Sequence, residues 1–226
     1  HVAQRFVLGG EGGWDYLTLD AASRRLYVSH GTRVHVVQAD SGTVVGEIAN
    51  TPGVHGIALA PELGRGFTSN GRDSTVTVFD LRTLATIATI PVGGRNPDAI
   101  VYDAVSRRVF TMNAGSASAT AIDAASASVV GSVALGGRPE FAVADGRGRI
   151  YLNLEDSSAV VAFDARTLRV EGRWPLAPCT EPSGLAMDRA HRRLFAVCGN
   201  RLMAVMDADA GRVITTLPIA PEGYRS

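Results

Sequence analysis

The stretch that decides the fold is WDYLTLDAASRRLYVSH, residues 14–30. It returns as VHGIALAPELGRGFTSN (54–70), PDAIVYDAVSRRVFTMN (97–113), PEFAVADGRGRIYLNL (139–154) and PSGLAMDRAHRRLFAVC (182–198). A valine-rich or alternating run follows each copy. These runs end at Gln38, Asp80, Asp123, Asp164 and Asp207, spaced by 42, 43, 41 and 43 residues. A fixed period of about 40–45 residues, with several short strands per unit, is the signature of β-propeller blades.

Each unit divides into four strands. Strand a follows the aligned column Asp15, His55, Asp98, Glu140 and Ser183 and ends at Asp20, Pro61, Asp103, Asp145 and Asp188. Strand b opens on Arg25, Arg65, Arg108, Arg149 and Arg193. Strand c shows β-branched or period-2 patterning, as in STVTVFD (74–80). Strand d is TVVGEIA, ATIATIPV, SVVGSVAL, RVEGRWPL and RVITTLPI. Asp with Ser or Thr marks the turn between c and d, where their side chains bond the turn backbone. The arginine column reads as a turn element paired with the preceding Asp; the alternative is a basic ring that binds an anion.

The expectation is therefore one all-β domain over residues 1–226, with four-stranded blades at about 13–52, 53–95, 96–138, 139–180 and 181–223. RFVLGGEGGWD (5–15) aligns with TIPVGGRNPD (89–98), so residues 1–10 read as a leading d strand that closes a ring. The a, b and c strands of its blade have no counterpart in the sequence. The chain is expected either to be part of a longer protein or to associate with another copy, because an open ring exposes sheet faces and edges that attract other chains.

Composition limits the partners. Hydrophobic residues make up 46 %, which suits a packed core. Lys+Arg and Asp+Glu are both 22, and every basic residue is arginine, so no net charge draws the chain to nucleic acid or an anionic membrane. No apolar run approaches the ~18 residues that span a bilayer. G-x-S-x-G, Walker, H-E-x-x-H and C-x-x-C motifs are absent.

YVSH, FTSN and FTMN at the ends of strand b, with IPVGGRNPDAI (90–100), resemble the YVTN-repeat β-propellers, the YncE-like secreted bacterial proteins. The resemblance covers residues 5–219 and implies a seven-bladed ring and export to the periplasm or outside the cell, with a signal peptide removed. Its motifs are specific for the fold and weak for function. Gln38 in blade 1 and Leu154 in blade 4 depart from the Asp and Asn of the other repeats.

In a propeller, strand a lines the central channel, and the d→a and b→c loops share one face. Function concentrates in such loops. Asp15, His55, Asp98 and Glu140 begin strand a in successive blades and are expected to converge at the channel mouth, with His30 and Glu181 from adjacent loops. This set reads as a ligand site. His55, Asp98 and Glu140 are the candidate ligands of a divalent metal, the one cofactor class these residues suggest. The alternative is that they bind channel water and neighbouring backbone. Asn70, Asn113 and Asn200 read as loop caps, His35 as a surface residue, and His191 as lying on the opposite face.

Cys179 precedes strand a of blade 5 and Cys198 ends its strand b, which makes a disulfide geometrically reasonable and, in an exported protein, the default. Two free thiols or a Cys/His metal site are the alternatives. The leading functional reading is a non-enzymatic propeller that binds a small molecule or a protein partner. The rival is a metal-assisted hydrolase, lactonase or lyase, with Asp15 or Glu181 as base. A third reading is a purely structural scaffold.

Overall fold

A computed structural model describes residues 2 and 4–219. The chain forms five four-stranded antiparallel sheets in chain order, the blades of a β-propeller. Blade 1 is β1 (Trp14–Asp20), β2 (Arg25–His30), β3 (Arg33–Gln38) and β4 (Val44–Ile48). Blade 2 is β5 (Val54–Ala60), β6 (Arg65–Asn70), β7 (Thr75–Asp80) and β8 (Thr86–Pro91). Blade 3 is β9 (Pro97–Asp103), β10 (Arg108–Asn113), β11 (Ser118–Asp123) and β12 (Ser128–Ala134). Blade 4 is β13 (Pro139–Ala144), β14 (Arg149–Leu154), β15 (Ala159–Asp164) and β16 (Val170–Pro175). Blade 5 is β17 (Pro182–Asp188), β18 (Arg193–Cys198), β19 (Leu202–Asp207) and β20 (Arg212–Pro218).

Each sheet is held locally by its turns. The aspartate ending strand c accepts backbone N–H groups two and three residues on: Asp80 from Arg82 (3.0 Å) and Thr83 (2.7 Å), Asp164 from Arg166 (2.9 Å) and Thr167 (2.6 Å). These backbone donors, first among several causes, hold Asp80, Asp123, Asp164 and Asp207 below the usual carboxylate range. Asp20, Asp145 and Asp188 cap the a→b turns in the same way.

The core lies between blades. The third residue of strand b (Tyr27, Phe67, Phe110, Tyr151) is completely buried in blades 1 to 4 and packs on the next sheet. Phe110, for example, meets Phe163 edge-on at 5.3 Å. Burying one such ring contributes about 1.5–3 kcal/mol.

The arginine column does not act as the expected turn ion pair. In blades 1 to 3 its guanidinium reaches forward to the next blade's c→d turn. Arg25 donates to the Leu81 carbonyl (2.8 Å), Arg65 to Ala124 (3.0 Å), and Arg108 to Ala165 (2.9 Å) and Arg166 (2.8 Å). In blade 4 the link runs through a phenol: Arg149 donates to the Tyr151 hydroxyl (3.2 Å), which donates to the Ala208 carbonyl (3.0 Å). In blades 1 and 3 the preceding carboxylates, Asp20 and Asp103, are taken up by turn backbone, which leaves Arg25 and Arg108 to clamp the neighbouring sheet; in blade 4 Asp145 also pairs with Arg192, and Arg149 with Glu171 of its own blade.

The leading segment also differs from expectation. Residues 4–10 form no strand. A strand needs a neighbouring backbone for its N–H and C=O groups, and no sheet among the described residues offers one there. Instead Phe6 lies against Gly42, whose φ of +70° suits the turn after β3 and where a Cβ would strike the Phe6 ring. The expected strand residue Ala220 lies outside the described residues.

Candidate functional site

Every inner strand carries the same irregularity. The pairing of β1 with β2 shifts register between Trp14 and Leu17, and the other four inner strands shift at the equivalent place. This bulge falls on the column Asp15, His55, Asp98, Glu140 and Ser183. A bulge inserts one residue, bends the strand and re-aims side chains. Polar residues are placed there because the bulged stretch is relieved of the face alternation of a regular strand.

The column converges over three blades. His55 Nδ1 lies 2.6 Å from Asp15 Oδ2 and 3.9 Å from Asp98 Oδ1. The Tyr16 hydroxyl donates to Asp98 Oδ1 at 3.2 Å, and its ring stacks on Phe141 at 5.3 Å. Glu140 extends the group on the far side: Arg138 bridges it (3.4 Å) to Glu155 (3.0 Å). Gly71 backs the imidazole. A Cβ there would come within 2.7 Å of His55 Nε2 and 2.5 Å of Asn96 Oδ1, so only glycine allows this close approach.

The electrostatics follow from crowding carboxylates in partial burial. The Asp15 hydrogen bond, ahead of nearby carboxylate charge, raises His55 above the ordinary imidazole value. Burial, then the Asp15 charge, raises Asp98. Burial, then the charges of Asp98 and Glu155, pushes Glu140 up to about 7. Burial and the same carboxylates hold the Tyr16 phenol protonated well above its ordinary range. For Asp98 and Glu140 alike burial is the leading cause, and neighbouring negative charge adds to it.

His30 does not join this cluster. Its ring stacks on Trp14 at 3.9 Å, its Nε2 donates to the Glu11 carbonyl (2.9 Å), and its Nδ1 faces His35 Nε2 at 3.0 Å. His35 is accordingly half-buried beside His30 rather than a surface residue. Glu181 stands apart in the blade 5 d→a loop, where its carboxylate covers Gly199. Among the described residues, no group of three or more His, Cys, Asp or Glu side chains is arranged to hold a metal ion, the triad His55, Asp98 and Glu140 included. His191 pairs with Asp188 (2.7 Å) on the opposite face.

Tyr16, Arg138 and Phe141 were not singled out by sequence reasoning. A signal for the aromatics existed: their column holds Gly56, Ala99 and Gly184 in the other blades. Asn70 and Asn113 are buried strand residues whose amides tie b to c, through Thr75 and Thr77 and through Ser118 and Thr120. Asn200 caps the d→a loop by donating to the Pro178 carbonyl at 2.8 Å. Cys179 and Cys198 form a disulfide with Cα atoms 5.7 Å apart, which fits an oxidising compartment. No helix among the described residues is long and apolar enough to cross a membrane.

No protein-family model matches this sequence, and no curated protein matches it. Solved structures do. U3-55K superposes with a TM-score of 0.84 at 9 % identity, over 95 % of this chain and 67 % of that one. Kuenenia stuttgartiensis hydrazine synthase superposes with a TM-score of 0.69 at 15 % identity, over 97 % and 90 % of the two chains. At such identities the likeness speaks for the fold alone: this chain has the β-propeller fold.

Proposed function

We propose that this is an exported propeller that binds the basic group of a small ligand, or of a partner's side chain, at the channel mouth. The observation that carries the reading is the meeting of Asp15, Asp98 and Glu140 on three bulged strands, with Glu155 behind them and, among the described residues, His55 and Arg138 as counter-charges. A guanidinium or ammonium entering there supplies the missing positive charge, gives Asp98 and Glu140 charge-assisted hydrogen bonds, and meets the Tyr16–Phe141 aromatic wall. Export rests on the YVTN-repeat resemblance and the disulfide.

Calorimetric titration with arginine amide and with glutamate tests this. Arginine amide is expected to bind and glutamate not. Because Glu140 ionises near pH 7, binding is expected to tighten as pH rises from 6 to about 8. The Asp98→Asn/Glu140→Gln double variant is expected to lose binding. Equal binding of both probes, or an unaffected double variant, would refute the proposal.

A further inference from the structure

Beneath the bulges of the channel mouth lies a second column, the fifth residue of strand b: Ser29, Ser69, Met112, Asn153 and Val197. Its three polar members, Ser29, Ser69 and Asn153, are completely buried. A bulge takes backbone groups out of the ladder, and buried N–H and C=O groups need partners. These side chains supply them. The Ser29 hydroxyl donates to the Tyr16 carbonyl (3.1 Å), and the Asn153 amide donates to the Ser183 and Gly184 carbonyls of the next blade (3.1 Å each).

Ser69 serves its own blade and the next at once. Its hydroxyl accepts the Gly56 N–H (2.9 Å), beside His55 in the blade 2 bulge, and donates to the backbone carbonyl of Asp98 in the blade 3 bulge. Gly56 makes room for this. A Cβ there would stand 2.9 Å from Ile100 Cγ2 and 3.3 Å from the Asp98 carbonyl oxygen, so a glycine lets the two inner strands come this close. One buried hydroxyl thus joins the backbones that carry His55 and Asp98, whose side chains stand 3.9 Å apart. Met112 has no proton to donate towards blade 4, and Glu140 is steadied by Arg138 from its own d→a loop instead.

We propose that Ser69 is a positioning residue of the channel-mouth site: it sets the spacing of His55 and Asp98, and with it the geometry in which a basic group is held. Being completely buried, it acts through the two backbones and not on the ligand. The effect on binding rests on the function proposed above; the effect on His55 does not.

Nitrogen NMR of the His55 ring and calorimetry with arginine amide test this on the whole chain. Ser69→Ala is expected to move the His55 ring-nitrogen resonances and to weaken arginine amide binding about tenfold. Asn153→Ala removes the corresponding clip beneath Ser183, which bears no ionisable group. It is expected to lower the melting temperature as Ser69→Ala does and to leave both other readouts at their wild-type values. Should Ser69→Ala not fold, Gly56→Ala decides: it keeps the hydroxyl, presses the Asp98 backbone away and is expected to move the same resonances. A folded Ser69→Ala, or Gly56→Ala in its place, with wild-type His55 resonances overturns the proposal. So does a folded Ser69→Ala that binds arginine amide as the wild type does. So does Asn153→Ala moving the His55 resonances equally, since the effect would then be a general loosening. Should arginine amide fail to bind the wild type, the proposed function falls, and the His55 resonances still decide the role of Ser69.

Discussion

Blade 3 and blade 5 spell the same repeat and live in different surroundings. RVFTMN in β10 and RLFAVC in β18 align residue for residue, yet Phe110 is sealed between two sheets and Phe195 is half-open. Arg108 bridges to blade 4; Arg193 turns back on its own blade. Burial in such an array is conferred by the neighbouring sheet and not by the strand's own sequence, which is why stability here is a sum of junctions.

The comparison can be broken most forcefully at the aromatic position. Phe110→Ala removes a ring from a closed junction and is expected to cost about 3–5 kcal/mol in urea unfolding, whereas Phe195→Ala is expected to cost under about half of that. Equal losses would mean that blade 5 is covered in solution. The disulfide comes next. Replacing both Cys179 and Cys198 with alanine opens a bridge between residues 19 apart and is expected to cost about 3 kcal/mol. Hydrogen exchange should localise that loss to β17–β20; faster exchange in blades 1 to 3 would contradict it.

The clamp gives a smaller effect. Arg108→Ala is expected to cost about 1.5–3 kcal/mol, the range for hydrogen bonds to charged groups, and Arg193→Ala under about 1 kcal/mol, as for an exposed pair. A reversed order would refute the forward clamp.

The smallest expected effect separates the two ends of the channel by pH. Glu140, Asp98 and His55 have folded pKa values above their ordinary ones, so the stability they confer is full at low pH and is lost as pH rises towards and past 7. The strand c aspartates at the opposite end are held low, so their contribution is present above their ordinary values and is lost as pH falls below about 4. Melting temperature is therefore expected to peak between these limits. Glu140→Gln should flatten the alkaline side and leave the acid side unchanged; a variant that moves both sides alike would contradict the assignment.

Much of the fold was legible because the period, the Asp turns and the alternating strands are all local signals. The disulfide partners could be read from their places in one blade. The column Asp15, His55, Asp98 was readable as an alignment column, since equivalent positions in stacked repeats face one axis. What stayed hidden depends on objects far apart in sequence. The destination of Arg108 is a carbonyl 57 residues on, and nothing in R-V-F-T distinguishes a turn partner from an inter-blade clamp. The bulge under the site depends on the register between β1 and β2, which composition does not encode. Residues 5–10 spell a d strand, and without paired neighbours that spelling yields no strand. His30 was misplaced because the stack on Trp14 and the proximity of His35 follow from the path of residues 10–14.

The arginine clamps of blades 1 to 3 reach forward, from each blade to its successor, and blade 4 does so through Tyr151. The array thus has a polarity, and the junctions that follow blades 1, 2 and 3 share one and the same clamp. A whole blade can be duplicated or deleted between two others, and each surviving arginine still finds a carbonyl at the same place. An insertion of half a blade leaves one clamp without an acceptor and one ring without a cover. Growth by complete modules is thereby favoured over growth by single strands, so the chemistry of one side chain sets the unit in which this protein's ancestors could lengthen.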